Sequence, residues 1–255
     1  MNIGFIGTGK ISTALVRAIC TTGLTGIRIW LSPRNEAVSR ALAQEFRNAS
    51  RLSENQEVID HSDLVFIALR PDICREVLSD LVFRSDQTVV SIIPYLKYEE
   101  LAALVHPVKR PCRAIPLPTV MNRVCPIPVF KPNGAVLDLL GKIGQPMIIE
   151  DEKQLHAIWT LTGLITPYYE LMGELSSWSH QHGVDKKLAD KYVADLFNSL
   201  AYAASISDQP DFESLSHHAA TPGGLNERAG IEVRESGAHQ EYLRSADGLL
   251  EKFDG

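Results

Sequence analysis

Through the first 150 positions, short apolar runs alternate with stretches of helical periodicity; beyond them only the helical rhythm continues. The first run, Ile3 to Ile6, feeds into a helical pattern from Ser12 to Cys20. Further β-rich runs cover Ile27–Leu31, Asp63–Leu69, Thr88–Ile93 and Cys112–Ile115. Between them the spacing of apolar positions predicts helices over 36–46, 55–60, 72–81 and 98–105. Pro126–Phe130 and Pro146–Ile149 extend the series, the first as an edge strand because proline cannot donate to a ladder. Strands separated by helices predict an α/β fold on a doubly wound parallel sheet.

After Glu150 the pattern is helical over 152–162, 168–182, 187–205 and 211–219. The expected division is therefore an N-terminal α/β domain over 1–150 and an all-helical domain over 151–255. The second is small for the apolar stretches it carries, such as Ala194 to Ala201. Such a unit buries part of its surface against another copy, so a homodimer or larger even-numbered homo-oligomer is expected.

Composition narrows the class. A net charge of −6 with no basic stripe argues against a nucleic-acid partner. No run approaches the length of a membrane span, and no basic segment precedes an apolar one at the start. Cys20, Cys74, Cys112 and Cys125 form no C-x-x-C pair and read as thiols of a reducing compartment, so a cytoplasmic location is expected. His180, His182, His217 and His218 lack zinc-like spacing and acidic companions, so no metal is expected.

The first strand runs straight into Gly7-Thr8-Gly9-Lys10-Ile11-Ser12. In this strand–turn–helix setting Gly7 permits the tight turn, and Gly9 lets backbone approach a pyrophosphate. The small Ser12 allows close packing of helix on strand, and the helix amides face the phosphates. The first domain is accordingly read as a Rossmann dinucleotide-binding domain. Its second strand ends in Ser32-Pro33-Arg34-Asn35, without the acid that would accept from a ribose 2′-hydroxyl. Ser32, Arg34 and Asn35 can all bond a 2′-phosphate, and arginine matches phosphate with a planar fork of donors. NADP(H) is therefore expected over NAD(H). Ala68, Leu69, Arg70 and Pro71 would flank the ribose and nicotinamide, with Asn55 and Pro116 as further coenzyme contacts.

A second motif, Thr221-Pro222-Gly223-Gly224-Leu225-Asn226, is followed by Glu235-Ser236-Gly237-Ala238. On its own it reads as a helix–helix turn with exposed backbone N–H groups that suit a carboxylate. In company it says more. The glycine turn, Ser32-Pro33-Arg34, Ala68-Leu69-Arg70-Pro71, Arg113-Ala114-Ile115-Pro116 and this loop occur in the order found in pyrroline-5-carboxylate reductases. The chain resembles that family over nearly its whole length.

The resemblance implies NAD(P)H-dependent reduction of a cyclic imine, with the helical domains of two subunits interlocked. It also implies that the loop residues Pro222, Gly223, Gly224 and Leu225 hold the substrate carboxylate. The departures are informative. The family's Thr-Thr or Ala-Thr after Pro-Gly-Gly is Leu225-Asn226 here, and an amide relays protons poorly beside a hydroxyl. An asparagine that would bond the nicotinamide is replaced near Leu117, and Pro94-Tyr95 stands where Ala-Gly is expected. The stretch opening the helical domain survives as Thr162 to Tyr168. Thr221, Asn226, Thr166 and Tyr168 are the candidate catalytic side chains, with a bound water as a further proton source. Two rivals are a dinucleotide-binding sensor without chemistry and a hydroxyacid-type dehydrogenase. The second needs a lysine on the first long helix, and residues 156–182 contain none.

Overall fold

The computed structural model describes residues 1–207 and 209–254. The chain divides into two compact units, Met1–Trp159 and the residues from Thr160 onward.

The first unit carries an eight-stranded sheet. Its strands are β1 (Asn2–Ile6), β2 (Arg28–Leu31), β3 (Ala49–Arg51), β4 (Leu64–Ile67), β5 (Thr88–Ser91), β6 (Cys112–Ala114), β7 (Pro126–Phe130) and β8 (Gln145–Ile149). Helices α1 (Lys10–Cys20), α2 (Glu36–Glu45), α3 (Asn55–Asp60), α4 (Pro71–Ser79), α5 (Tyr98–Leu104), α6 (Gly134–Ile143) and α7 (Glu152–Leu161) alternate with them. The spatial order is β3-β2-β1-β4-β5-β6-β7-β8. Pairings are parallel except β6 with β7, so the expected doubly wound parallel sheet carries one antiparallel step.

Both faces of the central strands β1, β4, β5 and β6 are covered, which explains their uninterrupted apolar runs. Along β4, Leu64 and Phe66 enter one apolar cluster with Phe5, Leu15 and Leu31. Val65 and Ile67 enter the other, with Val58, Leu78 and Leu101. The strand order reverses between β1 and β4, and their carboxyl ends flank the crevice where such sheets take ligands.

Three expectations change. β7 is not an edge: it lies between β6 and β8. Its prolines are tolerated because the Pro128 carbonyl, on the β6 side, accepts from the Ile115 amide at 2.9 Å, so that short ladder keeps an acceptor there. β3 spans three residues and carries too little pattern to be seen in sequence. Helix α6 was also absent from the expectations, although Asn133 caps it by accepting from the Val136 amide at 3.0 Å.

The second unit is helical: a short 3-10 turn (Thr162–Leu164), then α8 (Ile165–Gln181), α9 (Lys186–Ser205), α10 (Phe212–Ala219), α11 (Leu225–Glu235) and α12 (Ala238–Asp254). α8 starts earlier than its periodicity suggested. Pro167 falls in its first turn, where a missing N–H is harmless. α8 and α9 form a hairpin through Gly183, which holds φ +95°, with Ser176 donating to Asp190 at 2.6 Å across it. Large apolar side chains stay exposed on these helices, among them Trp178, Tyr192, Leu200 and Phe212. No helix among the described residues is long and apolar enough to cross a membrane.

Candidate functional site

The glycine turn is built by its own hydrogen bonds. Gly7 holds φ +100°, and a Cβ there would lie 2.4 Å from the Ala68 carbonyl oxygen, so only glycine fits between β1 and the end of β4. Ser12 is fully buried and donates to the Gly7 carbonyl at 2.6 Å, locking α1 onto the turn. Thr8 donates to the Arg34 carbonyl at 2.5 Å, tying the turn to the end of β2. Gly9 differs from Gly7. A Cβ on it would meet nothing within 4 Å, so the protein's own packing does not require glycine there. That open space is what a close-approaching phosphate needs, and Lys10 and Ile11 follow in the first turn of α1.

The three residues expected around a 2′-phosphate have different positions. Ser32 is fully buried and its Oγ accepts the Gly7 amide at 2.9 Å, so it braces the turn and does not face outward. Asn35 takes the left-handed conformation at φ 60°, and its side-chain amide donates to the Thr8 carbonyl at 3.0 Å. Arg34 is exposed. A second cation, which the sequence did not reveal, reaches the same turn: Arg51, at the end of β3, donates to the Pro33 carbonyl at 3.3 Å.

A cavity of about 210 Å³ lies against this turn, lined by residues including Gly9, Lys10, Ser12, Ala68, Arg70 and Ile92. Leu69 is buried, Pro71 opens α4, and exposed Arg70 pairs with Asp72 at 3.1 Å. Asn55 opens α3 with its Oδ1 buried and without a hydrogen-bond partner, an acceptor suited to a ribose hydroxyl. Pro116 is buried just past β6. Just beyond β5, Tyr95 is 37% exposed and holds φ +65°, the glycine-like backbone retained under a bulky ring. These residues fit a dinucleotide: a clear phosphate approach, an orphaned acceptor and cations at the far end of the turn.

In the second unit the Thr221–Asn226 loop joins α10 to α11. Gly223 holds φ +72°, and the Gly224 amide donates to the Thr221 carbonyl at 2.8 Å. The Gly223 amide, expected to meet a substrate carboxylate, donates instead to Glu227 Oε2 at 2.7 Å. The Asn226 side-chain amide donates to the Ala219 carbonyl at 2.9 Å, which ties the loop to α10. Pro222 is exposed and Leu225 almost wholly so. A cavity of about 490 Å³ adjoins the loop, lined among others by Glu213, His217, Asn226, Glu227 and Arg234. Thr166 and Tyr168 lie apart from the loop in sequence, on the first turn of α8, and Tyr168 stacks edge-on against Phe197. No group of three metal-ligating side chains occurs among the described residues, and His180 and His182 bond the carbonyls of Val184 and Trp178.

Arg113 heads a buried charge cluster whose members are distant in sequence. Arg113 is 0% exposed; its Nη1 donates to Glu152 and contacts His156 Nε2 at 2.8 Å. Its guanidinium sits 5.1 Å from the centre of the Trp159 ring. Burial pushes its pKa down, and the hydrogen bond and charge of Glu152 oppose that shift. Glu152 also accepts the Tyr98 amide at 2.6 Å, so β6, α5 and α7 meet at one carboxylate.

Comparison with known proteins agrees with this layout. Residues 2–95 match a family described as NADP oxidoreductase, coenzyme F420-dependent. The chain is 26% identical over 237 residues to the pyrroline-5-carboxylate reductase of Haemophilus influenzae, covering 89% of this chain and 87% of that one. A 1-pyrroline-5-carboxylate reductase from Streptococcus pyogenes has a TM-score of 0.86 at 20% identity, covering 99% of this chain and 98% of its own. Pyrroline carboxylate reductase from Plasmodium falciparum, with NADP bound, gives 0.84 at 19% identity over 99% and 97%. The resemblance carried by the motifs thus extends along the whole chain, and the fold is shared with these structures.

Proposed function

We propose that this protein is an NADPH-dependent reductase of a cyclic imine, such as 1-pyrroline-5-carboxylate or a related C=N compound. The observation that carries the reading is the glycine turn, where Gly9 keeps an open approach that the fold itself does not need. The full-length similarity to pyrroline-5-carboxylate reductases supports the choice of reaction.

Bound at this turn, NADPH would supply the hydride that reduces the imine carbon. The amides opening α1 and the Lys10 ammonium would hold the pyrophosphate, and Arg34 the 2′-phosphate. Ala68 to Pro71 would line the ribose and nicotinamide, and Asn55 would accept from a ribose hydroxyl. The Thr221–Asn226 loop would orient the substrate, and Thr221, Thr166, Tyr168 or a water would deliver the proton to nitrogen. With the coenzyme carrying the hydride chemistry, orientation by these residues is their main contribution. The exposed apolar side chains of the helical unit support a homodimer or larger even-numbered homo-oligomer, with dimerisation and substrate binding assigned to that unit. The four free cysteines fit a reducing compartment, the cytoplasm.

Loss of NADPH absorbance with a panel of cyclic imines tests the reading; tight NADPH binding without turnover would instead favour a sensor. That second reading has a specific basis, since the loop's Gly223 and Asn226 donors are both taken by the chain's own acceptors. A substrate carboxylate held by the Gly223 amide would have to displace Glu227. Glu227→Gln removes the like charge, so KM for such a substrate is expected to fall about tenfold. For an imine without a carboxylate KM should hold steady. Equal response of both substrates would show that Glu227 does not contest the carboxylate.

A further inference from the structure

We propose that Arg51 is the second cation of the 2′-phosphate site and shares with Arg34 the preference for the phosphorylated coenzyme. The inference rests on the NADP(H) reading and adds to it a residue from another strand. β3 pairs with β2 so that Arg51 lies opposite Leu31, and the Leu52 amide then donates to the Leu31 carbonyl at 3.0 Å. Both strands therefore stop at the same level, and the Ser32–Asn35 turn begins beside the arginine. Its Nη2 reaches under that turn to the Pro33 carbonyl at 3.3 Å.

Two observations say that this brace is not the whole role. The Arg51 Nε is buried and has no hydrogen-bond partner, although native structures rarely leave such a donor orphaned. The guanidinium's field also extends over the first turn of α2. There the Glu36 carboxyl is held below its ordinary range, first by the Arg40 hydrogen bond and charge and then by Arg51. That acid would repel a phosphate, but Arg40 pairs with it at 2.5 Å and offsets its charge. Two guanidinium forks around one phosphate provide charge-assisted, geometrically matched donors.

The test is the dissociation constant of NADPH and of NADH, by titration of the full chain, for wild type, Arg51→Leu and Arg51→Lys. Arg51→Leu is expected to weaken NADPH about tenfold, with NADH changed less than about twofold. Arg51→Lys should fall between wild type and Arg51→Leu, since it keeps the charge and loses the fork; it also serves if the leucine variant does not fold. Equal weakening of both coenzymes would mark Arg51 as a brace alone and overturn the proposal, as would no change in either. Wild type binding NADH as tightly as NADPH would remove the NADP(H) reading and this proposal together. An intact wild-type preference that survives in both variants would remove only the proposal.

Discussion

Arg113→Ala is expected to lower the stability of the protein by about 3 kcal/mol, the lower end of what breaking a buried ion pair costs. The lower end applies because Glu152 keeps 23% side-chain exposure and can be partly rehydrated. Three losses combine: the donor to Glu152, the partner of His156 Nε2 and the volume packed against Trp159. A double change, Arg113→Met with Glu152→Gln, should be milder, since it removes both charges, keeps most of the volume and leaves an acceptor for the Tyr98 amide. Urea unfolding monitored by tryptophan fluorescence compares them. Arg113→Ala lying within about 1 kcal/mol of wild type would contradict a structural role for this cluster.

The two turn glycines are expected to fail in different ways. Gly7→Ala forces a Cβ against the Ala68 carbonyl and strains a left-handed backbone, together costing about 2–4 kcal/mol. The clash pushes on the segment Ala68 to Pro71, so coenzyme affinity should fall along with stability. Gly9→Ala has φ −89° and open space around its Cβ, so stability should stay within about 1 kcal/mol. The methyl would occupy the approach left for a phosphate, so NADPH affinity alone should drop, by about tenfold or more. Thermal unfolding and coenzyme titration on the same two variants separate the effects. If Gly9→Ala binds NADPH as wild type does, the phosphate is not held at this turn.

What could be read from sequence was what local pattern determines. The glycine turn needs only residues 7 to 12 in a row, and both apolar faces of β4 are written in consecutive letters. Arg51 and Arg113 escaped because their meaning lies in partners distant in the chain: Arg113 meets Glu152 at a separation of 39 residues. The prolines of β7 point to an edge strand because they cannot donate, whereas on the β6 side the Pro128 carbonyl is called on only as an acceptor. In the loop, Pro-Gly-Gly announced a turn. Which acceptors its donors would find depended on side-chain placement at Glu227 and Asn226, which no spacing encodes.

The conformation at Tyr95 narrows the alphabet available at that corner of the molecule. A positive φ of 65° tolerates glycine, asparagine or aspartate readily and penalises β-branched residues, so drift there passes through few intermediates. Exchange of tyrosine for valine or isoleucine would tax the backbone before it altered any ligand. Remodelling of the neighbourhood, by selection or by an engineer, is more freely done from Ile92, whose side chain already borders the smaller cavity.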